Sequence, residues 1–342
     1  MTIEASSAAA APNVAGALRR KRMRTEITGL VAAAALVLLE TGAQAVTLHD
    51  GDVIMLNRRW LPWFNEVLHF DVGTATRTQI SSRGLLADPL QVVVHPGGRL
   101  YVADETNGIL QIDPATGAQS IAVPRTEIEG SIMGMVVEPA GTLLLSVYLP
   151  GRSPSARILR VSPQGGAAST LTEGGMLTWP GDLAVSGDDV WVYEASKAPG
   201  AEGTGSLVRI SASSGAQTGR VTSALFGGGG GLDADASGIV YLSWRGATNS
   251  GYGGRVTQTD PVTGSTSQIV AQNALDGVAV SAFGSVYYSY ESISSSGTQG
   301  FVTRLGGGWG GSDVFGPMHV VRGLEITPAT AESWGGLKRR YR

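Results

Sequence analysis

From about residue 50 onward the chain is a succession of short apolar runs separated by turn residues, and Pro89 to Gln119 shows the unit. Leu90 to Val94 is apolar and stops at the turn His95-Pro96-Gly97-Gly98. Leu100 to Ala103 follows, then Ile109 to Asp113, which ends at Pro114-Ala115-Thr116-Gly117. Each run has the length and the β-branched or aromatic content of a strand, and each break carries the Gly and Pro of a tight reversal. The pattern predicts three strands here.

The unit recurs. The last apolar residue before the first turn falls at Val94, Val137, Val185, Ala234, Val280 and Ile326, at intervals of 43, 48, 49, 46 and 46 residues. Second strands follow at Leu100–Val102, Leu143–Leu145, Val190–Val192, Val240–Leu242 and Val286–Tyr288. Third strands follow at Ile109–Ile112, Ile158–Val161, Leu207–Ile210, Arg255–Thr259 and Phe301–Leu305. Fainter fourth strands lie at Ser120–Val123, Ser169–Thr172, Thr218–Thr222 and Ser267–Val270. At the start, Asp52–Leu56, Val67–Val72 and Thr76–Ile80 read as second, third and fourth strands with no first strand before them; at the end, Val321–Ile326 reads as a first strand with little after it. Such a chain closes a ring by pairing its two ends. Four-stranded repeats of this period predict an all-β, six-bladed β-propeller over residues 46–330, closed by the C-terminal strand against the N-terminal blade. A two-sheet sandwich does not need six equal units, and β-helix turns are far shorter.

Composition fits that reading. Gly at 49 residues and charged residues at only 15% suit a turn-rich β domain, and with no Cys there are no disulfides and no thiolate chemistry. Residues 1–45 look different. Arg19-Arg20-Lys21-Arg22-Met23-Arg24 is basic, Ile27 to Leu39 is apolar, and Ala43-Gln44-Ala45 suits signal-peptidase cleavage, so a secreted or periplasmic protein is expected. The apolar run is short for a membrane span; only if it were retained as an anchor would the chain meet a membrane. Met23 serves as well as Met1 as the start of this signal. The whole chain carries −3; losing residues 1–45 removes five basic and three acidic residues and leaves −5. That balance gives no electrostatic reason to bind nucleic acid. The basic tail at 331–342 reads as a frayed terminus, and a monomer is expected.

The loops joining second to third strands are uneven, short at Asp104–Gly108 and long at Glu194–Ser206 and Trp244–Gly254. Long loops on one face of a regular scaffold are where function resides. The opening loop Asn57–Asn65 adds Trp60, Trp63 and Phe64, which either face a sugar, peptide or protein partner or cap their own blade. The ends of the second strands align Asn57, Asp104, Val147, Glu194, Trp244 and Tyr290 as a polar and aromatic ring. On the inner strands, Asp182, Asp233, Asp276 and Glu325, with Arg322, converge among Gly, Ala and Val. Carboxylates there need a cation, an arginine or water. A hard ion such as Ca²⁺ or Mg²⁺ suits them, and so does a water-filled channel with the acids bonded to backbone. His49, His69, His95 and His319 are dispersed with no zinc spacing, and there is no Gly-x-Ser-x-Gly elbow or phosphate-binding loop. Gly306-x-Gly308-x-x-Gly311 matches a dinucleotide fingerprint in letters alone, with no helix after it, and reads as a blade turn.

Arg99-Leu-Tyr-Val-Ala-Asp104, Ile109–Gln119, Pro180-Gly-Asp-Leu-Ala-Val185 and Asp276-Gly-Val-Ala-Val280 resemble the NHL-repeat propellers. They are also similar to the senescence-marker-protein and gluconolactonase group and to the streptogramin lyases. The resemblance spans roughly residues 50–328 and implies the propeller fold. For the lactonases it implies a divalent cation held by Glu, Asn and Asp at the channel mouth. Leu275-Asp276-Gly277 resembles their Pro-Asp-Gly. Gly181-Asp182 stands displaced by one from their Asn-Gly, and Asp88-Pro89-Leu90 does not match their Glu-Gly-Pro. Two functions follow as expectations. The first is a binding or interaction scaffold using the loop-rich face, through Asn57, Trp60, Trp63, Trp244, Tyr290 and Arg322. The alternative is a metal-dependent hydrolase or sugar lactonase using Asp182, Asp233, Asp276 and Glu325, with Asp104 or Glu194 as general base.

Overall fold

A computed structural model describes residues 45–57, 65–195, 205–244, 254–272, 275–282, 284–294, 297–306, 310–312, 318–320 and 322. In chain order the strands are β1 (Val53–Asn57), β2 (Glu66–Asp71), β3 (Thr76–Ser82), β4 (Pro89–Val94), β5 (Leu100–Asp104), β6 (Gly108–Ile112), β7 (Gln119–Pro124) and β8 (Ser131–Val137). Next come β9 (Leu143–Tyr148), β10 (Ala156–Val161), β11 (Ser169–Glu173), β12 (Pro180–Ser186), β13 (Asp189–Glu194), β14 (Ser206–Ser211), β15 (Gln217–Thr222) and β16 (Gly229–Ala234). The last are β17 (Val240–Trp244), β18 (Arg255–Thr259), β19 (Thr266–Ala271), β20 (Leu275–Val280), β21 (Val286–Ser294), β22 (Gly297–Arg304), β23 (Gly310–Ser312) and β24 (Met318–Val320).

These strands form six antiparallel four-stranded sheets. Five run consecutively, and the sixth has the order β24-β1-β2-β3, so the last strand completes the first blade. The inner strands β4, β8, β12, β16, β20 and β24 each contact the next, and β24 returns to β4. The ring is closed. Among the described residues no helix is long and apolar enough to cross a membrane.

The second strands open on apolar runs because both of their faces are covered. Leu100 and Val102 of β5 pack on Ile54 and Leu56 of the preceding blade, while Tyr101 and Ala103 pack on Ile132 and Leu145 of the following one. Six such apolar clusters fill the six seams. Each wholly buried Val, Leu or Ile contributes roughly 1.5–3 kcal/mol relative to an exposed one, so no blade is stable without its neighbours. Polar pairs are rare inside. One is Asp52 with His69, both buried, 2.7 Å from Oδ2 to Nε2, which ties the start of β1 to β2.

Two expectations need correction. The closing strand is Met318–Val320, paired Val53 to Val320, Ile54 to His319 and Met55 to Met318. It lies six residues before the predicted register, in which Ile326 held the place that Val320 takes. The even period was extrapolated into the last blade, but that blade is short on its outer side. Its fourth strand, β23, is only Gly310–Ser312, inside the glycine-rich stretch read as a turn. Strands of glycine carry no side-chain alternation, so the pattern was silent there. Val321 and residues 323–326, Glu325 among them, lie outside the described residues, as do Trp60 and Trp63.

Candidate binding face and channel

The inner strands start at the face that also carries the ends of the second strands. Register places Asp104 opposite Pro89, Tyr148 opposite Ser131, Glu194 opposite Pro180, Trp244 opposite Gly229 and Tyr290 opposite Leu275. In the third blade the same register position is Val147, opposite Ile132, and Tyr148 follows it one residue on. Val147, expected from the sequence, is wholly buried in the seam.

The polar members of the ring are committed to the fold. Asp104 accepts four backbone N–H bonds, from Ala87 and Asp88 ahead of the inner strand and from Thr106 and Asn107 after its own, at 2.8–3.0 Å. Glu194 is wholly buried. Its Oε1 accepts the N–H groups of Thr178 (2.9 Å) and Trp179 (2.6 Å) and the Thr178 hydroxyl. Burial pushes its carboxyl above the usual range, against those bonds. These are loop ties, and a general base needs a free carboxylate facing a substrate. Asn57 is buried too, its amide donating to Glu66 at 2.6 Å, so it does not belong to an exposed rim.

The aromatic members stay half-exposed. Tyr148 lies against Trp179 with ring centroids 3.9 Å apart, and Tyr290 stacks on Phe301 at 5.1 Å. The Arg255 guanidinium sits 4.5 Å over the Trp244 ring. Gly227 lies flat under the same indole, where a Cβ would overlap the ring. Together they make an aromatic arc across blades three to six.

Deeper in, the channel residues bind one another and the backbone. Five inner strands bulge near their starts, at Pro89/Gln91, Ile132/Gly134, Pro180/Leu183, Gly229/Leu232 and Leu275/Val278, which breaks ladder pairing there. Buried serines on the second strands serve the backbone groups at that level. Ser146 donates to Gly181 O at 2.5 Å, Ser243 bridges Gly231 N and Asp276 O, and Ser289 accepts from Gly277 N. These serines were missed from sequence; their shared place near the end of the second strands was the signal.

Asp182 reaches forward to Leu232 N (2.9 Å) and also accepts Leu183 N, and the Gln91 amide donates to both its oxygens from two blades away. Gly134 leaves room for that crossing, since a Cβ there would stand 2.6 Å from Asp182 Cα. Burial lifts the Asp182 carboxyl to about 7 against the pull of the two amides, and Asp233 adds to the rise. Asp233 repeats the reach, accepting Val280 N at 2.7 Å and Ala234 N at 2.8 Å. Arg322, just past the closing strand, donates to Asp233 Oδ1 (2.5 Å) and Ala234 O (2.8 Å). His319 shares their level of the channel; burial, with Arg322 second, pushes it down to about 4, and its shielded Nδ1 has no hydrogen-bond partner among the described residues.

Asp182 and Asp233 spend their oxygens on amides and Arg322. Among the described residues, Asp276 included, no three His, Asp or Glu groups stand close enough to hold a metal. The Arg322 expected as a ligand contact is occupied by Asp233. Glu129, whose Glu-Gly-Ser only faintly echoes the lactonase motif, pairs with Arg152 and with Arg157 at the rim.

No family model and no curated protein matches the chain. Solved structures do. TolB from Acinetobacter baumannii is 14% identical over 80% of this chain and 67% of its own, with a TM-score of 0.59. Regucalcin from Agrobacterium tumefaciens, described as a calcium-binding protein, is 16% identical over 80% and 91%, at 0.51. A protein provisionally assigned as a 6-phosphogluconolactonase, from Bacteroides uniformis, is 16% identical over 80% and 100%, at 0.50. The likeness is one of fold. It leaves activity to be argued from the site.

Proposed function

We propose that this protein is an exported binding propeller that takes its ligand on the face where the inner strands begin. One observation carries the reading. The aromatic arc of Tyr148, Trp179, Trp244 and Tyr290 is half-exposed at that face, while the carboxylates beside and beneath it are engaged by backbone amides and Arg322. Half-exposed Trp and Tyr supply large contact area at little entropic cost, which suits a sugar, a small molecule or a protein partner. Export rests on the basic and apolar segments within residues 19–45.

The test is retention of the wild-type protein on arrays of immobilised oligosaccharides and peptides, beside Trp244→Ala and Tyr290→Ala. Retention of one ligand class, weakened about tenfold or more by either change with the melting temperature of the ring held, supports the reading. Equal retention by wild type and both variants overturns it. The hydrolase alternative draws on the regucalcin and lactonase neighbours. It gains ground if Ca²⁺ or Mg²⁺ raises the melting temperature and Asp276→Ala abolishes the rise.

A further inference from the structure

Blades three and five carry an arginine at the same point, and only one of the two has an acid to meet. In blade three Arg157, near the start of β10, lies between Val147 of β9 and Glu173 of β11. Its Nε donates to Glu173 at 3.1 Å, and Glu129, three residues ahead of Ile132, offers a second carboxylate at 3.6 Å. In blade five the matching residue is Arg255, which lies between Trp244 of β17 and Ala271 of β19. Ala271 therefore stands where Glu173 does. Phe226, three residues ahead of Gly229, stands where Glu129 does. The glycine after each confirms the match, since Gly130 lies against the Val147 side chain and Gly227 against the Trp244 ring. Among the described residues no hydrogen bond or ion pair engages the Arg255 guanidinium. Its contact is the indole, 4.5 Å from Cζ to the ring centroid, and the sequence between Trp244 and Arg255 holds no Asp or Glu.

The three differences act in one direction. Trp in place of Val puts a π face beside the guanidinium, and both acids are replaced by apolar residues. Contact with an indole covers a face of the guanidinium, whereas its N–H donors lie in the plane of the group and stay available. Trp244 and Arg255 are both half-exposed, so those donors can meet a group from outside the chain. Their planar fork matches the two oxygens of a carboxylate. One guanidinium balances one negative charge, and the chain's own net charge of −3 disfavours a more highly charged phosphate. We propose that the Trp244–Arg255 stack is the anchor for a carboxylate-bearing ligand, with the Arg255 fork as donor and Trp244 as the support that orients it. The proposal deepens the reading of this face as the binding face, names its ligand as an anion, and rests on that reading.

Heteronuclear NMR of the whole protein, following the Trp244 indole N–H and the Arg255 Nε–H signals, tests this with benzoate, benzamide and phenylphosphonate, which share one ring and differ in the head group. The expected result is a saturable shift of both signals with benzoate, a weaker response to the phosphonate and none to the neutral amide. Arg255→Gln, read at Trp244, should weaken benzoate about tenfold. Arg255→Lys keeps the charge without the fork and should fall between. Ala271→Glu rebuilds the blade-three ion pair at an exposed position, and should suppress benzoate binding while the melting temperature of the ring holds. Benzoate affinity unchanged in Arg255→Gln or in Ala271→Glu overturns the proposal. So does a benzamide response equal to that of benzoate, which would mark contact with the aromatic arc alone, and so does tighter binding of the phosphonate. If benzoate shifts neither signal while Trp244-dependent retention of a neutral ligand on the arrays persists, the carboxylate anchor fails and the broader reading of the face survives.

Discussion

Two shielded groups in the channel, buried Asp182 and half-buried His319, titrate in opposite senses, and together they hide a pH dependence. Asp182 is held up to about 7 from an ordinary 3.8. Between those values the folded chain keeps a proton that the unfolded chain has lost, so its contribution to stability is full below about pH 4 and is lost as pH rises through about 7. His319 is pushed down to about 4 from 6.5. In that window the unfolded chain binds the proton, so stability falls as pH drops from about 6.5 to about 4. The two slopes oppose each other across nearly the same range. Urea midpoints should therefore vary little with pH in the wild type between about pH 4 and 6.5. Asp182→Asn should expose a profile that rises with pH, and His319→Gln one that falls. Parallel profiles for all three proteins would show that these groups are not the titrating pair. The sequence placed Asp182 on an inner strand but aligned His319 with nothing, because the closing register was misplaced.

At the scale of the strand, the second strands were the most legible elements. Their uninterrupted apolar runs, such as Leu143–Leu145 and Val190–Val192, follow from covering on both faces, and every one lies where the repeat predicted. The inner strands were legible in position and opaque in detail. Their bulges free backbone groups that Ser146, Ser243 and Ser289 serve, and no one-dimensional pattern announces a bulge. Small residues are the trace that it leaves. Gly134→Ala should drive a Cβ against the Asp182 backbone and destabilise the ring by about 1–3 kcal/mol, read as a lower urea midpoint with an unchanged slope. Gly134 has an ordinary φ, so the same substitution at Gly219, where φ is also ordinary and no atom lies within 4 Å of the added Cβ, isolates the cost of crowding. If both variants lose the same stability, crowding at the channel is not the cause.

At the scale of the molecule, stability depends on one short seam. Three residue pairs join β24 to β1, and Arg322 reinforces them by reaching across the channel to Asp233 and Ala234 in blade five. Arg322→Ala leaves a mostly buried carboxylate without its cation, a loss of about 3 kcal/mol. Hydrogen exchange should then accelerate first in β24 and β1. Uniform acceleration over all six blades would show that Arg322 is not the clasp. The sequence by itself determined the blade count, the strand order within each blade and the split of one blade between the two ends of the chain, because turn chemistry and apolar runs are local and repeat. It also marked the face on which the second strands end. Only the tertiary structure decided what the polar residues there do. Whether Asp182 caps Leu232, or whether Arg322 meets a ligand or Asp233, depends on which groups a neighbouring blade brings within about 3 Å, and that distance is set by packing between segments far apart in the chain.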